Sequence, residues 1–134
     1  MTPFSPISSG NPVSLEGKVA LITGASRGIG RATALMFAQN GADLIINYLK
    51  NEAAAREVAA RVEAFGRKAF LIKADVANRA AVEAMREEIQ RESGGLDILV
   101  NNAGLSLTNN LYGLTQEVWE QVIGTNLTGL FNTC

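Results

Sequence analysis

The chain has 134 residues, of which 47% are hydrophobic and 19% charged, a mixture typical of one small globular domain. Its formal net charge is -1 and neither sign of charge forms a block, which argues against nucleic acid or an anionic membrane as a partner. It has no histidine, a single cysteine (Cys134) and no apolar run approaching the ~20 residues that span a bilayer, so imidazole catalysis, an internal disulfide and a cysteine zinc site are excluded and a reducing, cytoplasmic setting is expected.

Residues 1–15 differ in composition from the rest of the chain. They hold all of its prolines, Pro3, Pro6 and Pro12, and lack the basic residues and apolar core of a targeting peptide. We therefore predict a disordered leader over 1–15 and one domain over 16–134.

Strand-like and helix-like segments alternate after the leader. Short apolar, β-branched runs predict four strands: 18–23, 43–48, 68–73 and 96–101. Apolar residues at helical spacing predict the helices between them: 28–40, 51–65 and 78–92. A last helix is predicted to begin near Thr115, which suits an N-cap. Strands that are apolar throughout, each followed by a helix, predict an α/β fold with a doubly wound parallel sheet covered on both faces.

The turn TGASRGIG (23–30) follows the first strand and opens the first helix. Because Gly24, Gly28 and Gly30 lack Cβ atoms, the backbone can approach a pyrophosphate closely. The amino end of the helix then offers free N–H groups and a positive dipole to the phosphates. The alternative is a tight turn that merely needs glycine. In this strand-turn-helix context we favour nucleotide binding.

Four motifs in the same order resemble the short-chain dehydrogenase/reductase family over residues 17–134. They are the Gly-x-x-x-Gly-x-Gly turn, ADV (74–76) after the third strand, NNAG (101–104) after the fourth, and TNLTG (125–129). Within the family, segments such as VALITGASRGIGRATA and DILVNNAG are most similar to the 3-oxoacyl-[acyl-carrier-protein] reductases. The resemblance implies a Rossmann-type sheet, truncated to four strands in the order 3-2-1-4. It also implies an NADP(H)-dependent oxidoreductase that reduces ketones or oxidises alcohols, with 3-oxoacyl thioesters as candidate substrates.

The resemblance also implies roles for individual residues. The phosphate turn would be lined by Gly24, Ser26, Arg27, Gly28, Ile29 and Gly30. Asp75 would hydrogen-bond the adenine amino group, and Val76 would flank the ring. The cofactor ribose would run beside Asn102, Ala103 and Gly104. Two alternatives stay open: Asp75 as the cap of a turn before the third helix, and Asn102 as a strand-end amide that satisfies buried backbone.

The end of the second strand bears on the choice of cofactor. An NAD-preferring site usually places an acid there, about 20 residues past the glycines, to bind the ribose 2′-OH. Here the stretch includes Asn47, Tyr48 and Lys50, and no acid occurs before Glu52. Lys50 and Arg27 can both face a 2′-phosphate, so we predict NADP(H) over NAD(H). We count Asn47, Tyr48 and Lys50 among the cofactor-binding residues. The alternative leaves both cations as solvated surface charges.

The closing helix carries one amide in its apolar stripe. The stripe comprises Trp119, Val122, Ile123, Asn126, Leu127, Leu130 and Phe131. Burying an amide without partners costs roughly 1–3 kcal/mol, so Asn126 should bond to another group. The resemblance implies a catalytic role, because the matching asparagine of the family supports an active-site lysine through a water. A helix–helix hydrogen bond is the alternative.

The other catalytic groups of the family, a serine and a Tyr-x-x-x-Lys pair, do not occur in the 134 residues. Tyr48 and Tyr112 are followed four residues on by Glu52 and Gln116. We expect a fragment of a longer enzyme or a truncated gene product, rather than a chain whose sheet a second chain completes. We expect the 134-residue chain to be inactive alone and the complete enzyme to be a homo-oligomer acting on a small carbonyl or alcohol, without metal, nucleic acid or membrane. Alternatively, the chain is a non-catalytic nucleotide-binding module or an interaction fragment.

Overall fold

The structure, a computed structural model, describes residues 13–107 and 110–134. The strands are β1 (Val19–Ile22), β2 (Asp43–Tyr48), β3 (Ala69–Lys73) and β4 (Ile98–Val100). The α-helices are α1 (Gly28–Gln39), α2 (Glu52–Ala64), α3 (Arg79–Ser93), α4 (Gln116–Ile123) and α5 (Gly129–Thr133). A 3₁₀ turn (Leu111–Gly113) precedes α4, and a π-helical turn (Gly124–Thr128) joins α4 to α5.

All neighbouring strands are parallel, in the order β3-β2-β1-β4. In β1, Ala20 pairs with Leu44 of β2 on one side and with Ile98 of β4 on the other. The chain therefore leaves β1 toward one half of the sheet and later returns to start the other half. The predicted fold class and strand order are confirmed.

Alternating residues of the strands face two separate cores, one on each side of the sheet. Ala20 and Ile22 face α1 and α2, whereas Leu21 faces α3. The first core is closed by Ala34, Ala38, Ala55, Val58 and Val62 of α1 and α2. The second is closed by Val82, Met85 and Ile89, which share one face of α3. The β1 pattern of small and β-branched residues thus serves both faces at once.

Most of the helix starts are capped by side chains. At α2, Asn51 Oδ1 accepts a hydrogen bond from the N–H of Ala54, and at α3, Asn78 Oδ1 accepts one from the N–H of Ala81. At α4, Thr115 Oγ1 accepts one from the N–H of Val118. These caps satisfy backbone donors that a helix leaves without partners. The predicted N-cap at Thr115 is confirmed. Helix α1 differs, and this difference concerns the site.

The predicted leader lies mostly outside the described residues, since the structure describes none of residues 1–12. Its last residue, Leu15, belongs to the folded unit: its N–H donates to the carbonyl of Asn40 at 2.8 Å, and its side chain packs on the first core. Beside it, Arg67 pairs with Glu16 and Asp43. These two ion pairs lie at the amino ends of the strands, away from the site.

The closing segment is not the continuous helix that the spacing predicts. The π turn Gly124–Thr128 interrupts the α-helical repeat. Since a π turn adds a residue to the repeat, it shifts the phase of the apolar positions that follow. Trp119, Leu127 and Phe131 are 56%, 63% and 73% exposed. None of the helices in the described part of the chain is long and apolar enough to cross a membrane.

Candidate functional site

The candidate site lies at the carboxyl ends of β1 and β4, where the strand order changes direction. Ile22 at the end of β1 pairs with both Ile46 and Val100, so the glycine turn after β1 sits between the ends of β2 and β4. The N–H of Thr23 continues the ladder to Val100 O at 3.1 Å. In open α/β sheets, ligands bind in the crevice at such a switch point.

Gly24 occupies the tightest point of the turn. Its φ is +62°, and a Cβ there would lie 2.9 Å from Ala103 Cα. Both sides of the residue are held by amides: its N–H donates to Asn47 Oδ1 at 3.2 Å, and its carbonyl accepts from Asn102 Nδ2 at 3.2 Å. Glycine is therefore required at 24, and the turn is fixed from the strands on either side.

The hydroxyl of Thr23 ties the turn to the NNAG segment. Thr23 is 1% exposed, and its Oγ1 accepts the backbone N–H groups of Asn102 and Ala103, each at 2.9 Å. Two lone pairs on one hydroxyl allow this double acceptance. Thr23 was not among the predicted site residues; a hydroxyl at the buried end of a strand, directly before the glycine turn, was the available signal.

Asn102 combines a structural contact with its predicted place beside the cofactor. Besides the Gly24 carbonyl, its Nδ2 contacts the carbonyl of Thr23 at 3.0 Å. The alternative weighed for this residue, a strand-end amide that satisfies backbone, is therefore what its side chain does in the structure. Its predicted contact with the ribose stays a prediction, as do those of Ala103 and Gly104.

The amino end of α1 is the part of the site suited to phosphates. Arg27, which precedes it, is extended (φ -154°, ψ 172°) and makes no side-chain cap; within the described residues no side chain caps α1. Gly30 lets the helix approach the turn, because a Cβ there would lie 2.6 Å from the Gly24 carbonyl. Free N–H groups, glycine and a positive dipole fit a pyrophosphate, so the residues present suit a dinucleotide.

An open cleft of about 620 Å³ lies beside this turn. The structure brings predicted residues from three segments to its wall: Arg27 from the turn, Ala103 and Gly104 from the NNAG segment, and Asn126 from the π turn. Of the other predicted turn residues, Ile29 is 79% exposed and Ser26 is half-buried.

The three residues predicted at the end of β2 differ in accessibility. Asn47 is 2% exposed, and its amide is occupied by backbone groups of the protein. Tyr48 is buried as well; burial, with a further effect of the Glu52 carboxylate, raises the pKa of its phenol, which stays neutral at pH 7. Lys50 is exposed. Of the three, only Lys50 presents its side chain freely to a cofactor.

The ADV segment follows β3 at the same edge of the sheet. Asp75 Oδ1 accepts the N–H of Ala77 at 2.9 Å, the turn-capping role that was left open for it; no hydrogen bond within the described residues occupies its Oδ2. Val76 is 5% exposed and packs against Gly129, where a Cβ would lie 2.7 Å from its Cγ2. Their predicted adenine contacts stay predictions.

Asn126 lies on the cleft, and its predicted burial in an apolar stripe is wrong. The expectation that its amide needs partners is met by one residue of the loop after NNAG: Oδ1 accepts the N–H of Leu105 at 2.7 Å, and Nδ2 donates to the Leu105 carbonyl at 2.9 Å. These bonds join the helix to a loop, not to another helix. The π turn Gly124–Thr128 presents the amide at this point, and π turns occur frequently at functional sites.

A glycine turn, an uncapped helix and a cleft at the switch point of a parallel sheet are features of the Rossmann-type fold. The family model described as short chain dehydrogenase matches residues 18–134, and the chain belongs to this family.

Its relatives include the 3-oxoacyl-[acyl-carrier-protein] reductase FabG of Staphylococcus aureus (strain Mu50), 44% identical over 86% of this chain and 47% of the reductase. A short-chain dehydrogenase/reductase of Armillaria gallica is 44% identical over 87% of this chain and 45% of that protein. A solved short chain dehydrogenase from Burkholderia cenocepacia J2315, in complex with NADP, is 41% identical with a TM-score of 0.87 and covers 90% of this chain and 49% of its own. The chain thus spans about half the length of the curated relatives it matches.

Proposed function

We propose that this chain is the cofactor-binding half of an NADP(H)-dependent oxidoreductase that reduces a ketone or oxidises an alcohol. The observation that supports this most is the uncapped amino end of α1, set against a glycine turn with Arg27 on the adjoining cleft. Family membership supports the reaction class, and the likeness to FabG supports 3-oxoacyl thioesters as the substrate class.

The bound cofactor would supply or accept a hydride, and the residues of this chain would hold it in place. The first N–H groups of α1 would bind the pyrophosphate, and Asp75 Oδ2 would accept from the adenine amino group. Asn126 would keep the Leu105 loop at the cleft wall, where the substrate carbonyl has to approach. Orientation of this kind contributes a large part of the rate acceleration of such reactions.

The preference for the phosphorylated cofactor rests on charge at the end of β2. Lys50 is exposed there, and the nearest acid along the chain, Glu52, is engaged by Arg56. The chain therefore bears no carboxylate between the end of β2 and Glu52 to bind a ribose 2′-OH, while Arg27 and Lys50 can meet a 2′-phosphate. The NADP complex of the relative from B. cenocepacia is consistent with this preference.

A cofactor titration tests the proposal. NADPH and NADH are titrated by fluorescence or calorimetry against the protein, Arg27→Ala and Lys50→Ala. A charge-assisted hydrogen bond contributes about 1.5–3 kcal/mol, so each substitution should weaken NADPH binding about tenfold or more and NADH binding much less. The control is Lys68→Ala, which removes one positive charge at the opposite edge of the sheet. Equal or tighter binding of NADH by the unsubstituted protein would contradict the proposed preference.

A second candidate is a non-catalytic nucleotide-binding or interaction fragment. The exposed apolar side chains after the cleft, Trp119, Leu127 and Phe131, favour a partner surface there. Cofactor binding with no turnover by a longer chain that includes the serine and the Tyr-x-x-x-Lys pair would favour the nucleotide-binding module. Association of residues 1–134 with no cofactor affinity would favour the interaction fragment.

A further inference from the structure

The buried amide of Asn47 joins two loops of the proposed site that come from different strands. Its Oδ1 accepts the N–H of Gly24, in the phosphate turn after β1, at 3.2 Å. Its Nδ2 donates to the carbonyls of Ala74, at 3.0 Å, and Ile72, at 3.3 Å, at the end of β3. The side chain is part of β2, which lies between the two strands, and it reaches both neighbours.

The backbone of the same stretch strengthens this link. Ala25 N–H donates to the carbonyl of Asn47 at 2.9 Å, and Ala74 N–H donates to the carbonyl of Tyr48 at 3.1 Å. The turn after β1 and the loop after β3 are thus both anchored on the last residues of β2. The loop has a second anchor, because Asn132 Nδ2 donates to the carbonyl of Val76 at 2.9 Å from α5.

These contacts place two fixed carbonyls on either side of Asp75. Ala74 O is held by Asn47 and Val76 O by Asn132. Asp75 itself is constrained through the bond from Ala77 to its Oδ1. The segment is therefore preformed before any ligand binds. In addition to the backbone bonds from β2, the side chain of Asn47 bonds both to this segment and to the phosphate turn.

We propose that Asn47 is a positioning residue of the cofactor site, which sets the phosphate turn and the loop after β3 relative to each other without contacting the cofactor. The inference rests on the proposed function. The position needs one acceptor directed toward β1 and two donors directed toward β3, and a carboxamide supplies this set in one side chain of this length. At 2% exposure the amide is closed off from bulk solvent, so removing it leaves the Gly24 N–H and the Ala74 carbonyl without this partner.

The test compares substitutions of Asn47 with two controls. Asn47→Ala removes both sets of bonds, and Asn47→Thr does so while nearly conserving volume and suiting a strand. Asn132→Ala breaks the same kind of bond to the same loop but leaves the phosphate turn untouched. Val62→Ala leaves a cavity in the first core, at the far end of α2, and so controls for lost stability alone.

Affinity for NADPH and NADH is measured by calorimetry at a temperature where circular dichroism shows each variant folded. Both cofactors use the phosphate turn, so its loss of preorganisation should weaken the affinity for NADPH and for NADH by the same factor, about tenfold. The ratio of the two affinities should therefore stay unchanged. This distinguishes Asn47 from Lys50, whose replacement should change the ratio. Asn132→Ala should lose less affinity for both cofactors than the Asn47 variants, and Val62→Ala should bind them like the unsubstituted protein.

Amide hydrogen exchange gives a readout that needs no cofactor. The Gly24 N–H should exchange faster in both Asn47 variants and at an unchanged rate in Asn132→Ala. Folded Asn47 variants with unaltered affinity, or a Gly24 amide that keeps its protection, would overturn the inference. If the unsubstituted protein binds neither cofactor, the proposed function fails, and exchange at Gly24 still decides whether Asn47 holds the turn.

Discussion

The approach of α1 to the glycine turn predicts the effect of a single methyl group. Gly30 lies in the first turn of α1, where alanine would otherwise improve the helix. A Cβ at this position would lie 2.5 Å from Asn102 Nδ2, 2.6 Å from the Gly24 carbonyl and 3.0 Å from Ala25 Cα. The first two atoms are hydrogen-bonded to each other, so the methyl group would have to separate them. We therefore expect Gly30→Ala to break the hydrogen bond that joins the glycine turn to the NNAG segment after β4.

The magnitude follows from two opposing effects. Overpacking costs about 1–3 kcal/mol, and the upper end applies because two of the contacted atoms are backbone atoms that move only with the turn. Replacing a helical glycine by alanine returns about 1 kcal/mol. The net destabilisation is about 2 kcal/mol, which lowers the melting temperature by about 8 °C at about 4 °C per kcal/mol for a domain of this size.

Calorimetric melting and NADPH titration check this expectation. The matched control is Gly124→Ala, also a helical glycine, where a Cβ would meet only Ala77 Cβ at an ordinary 3.5 Å. The control should melt at or above the temperature of the unsubstituted protein and bind cofactor alike, whereas Gly30→Ala should melt lower and bind at least about tenfold more weakly. If Gly30→Ala is as stable as the control and binds equally well, the turn is not held as tightly as these distances imply, and the reasoning fails.

Two further predictions concern residues 1–134 as a unit, and a third concerns a longer chain. The chain should associate, because β4 pairs only with β1 within the described residues and several large apolar side chains are exposed; its scattering mass should fall on dilution, and a constant monomer mass would contradict this. Residues 1–134 alone should not oxidise NADPH with short 3-oxoacyl thioesters above background. General acid catalysis typically contributes 10²–10⁴-fold to the rate, but Tyr48 is buried and Tyr112 has no lysine four residues on. Clear turnover by the pure chain would show that the acid has been misplaced. In a longer chain that includes the serine and the Tyr-x-x-x-Lys pair, Asn126→Ala should lower kcat more than cofactor affinity, and a loss confined to affinity would contradict a role in turnover.

Local patterns in the sequence were enough to predict much of the fold. The β-branched runs and the alternation of helix and strand were enough to predict the sheet, because burial on both faces leaves few polar residues in a parallel strand. The bounds were less accurate: the predicted strand 96–101 is reduced to Ile98–Val100. Asp97 bonds to Val19 through two groups: its backbone N–H donates to the Val19 carbonyl at 3.0 Å, and its side-chain Oδ2 accepts the N–H of Val19 at 2.8 Å. A side chain that replaces a ladder bond leaves no trace in hydrophobic periodicity.

The contacts that shape the site were less accessible, because they join residues far apart in the chain. Thr23 Oγ1 bonds to the N–H of Ala103, 80 residues on, and Asn47 reaches the carbonyl of Ala74, 27 residues on. A sequence pattern assigns a polar residue near a glycine turn to the ligand, since both a ligand contact and a backbone brace require the same residue types. Burial separates the two functions, and burial of Asn47 depends on the packing of β2 between β1 and β3.

For Asn126, the sequence correctly indicated that the amide needs hydrogen-bond partners but wrongly indicated that it is buried in an apolar stripe. An amide among apolar residues had to find partners, and it did, in the backbone of Leu105, 21 residues earlier. The spacing i, i+3, i+4 cannot reveal a π turn, because the extra residue changes the phase without changing the composition. In a regular α-helix, Asn126 would share one face with Leu130 and Phe131; with the π turn, its amide meets the loop that follows NNAG, at the wall of the cleft that Arg27 also lines. The irregular turn therefore brings the one amide of the predicted apolar stripe to the proposed reaction site.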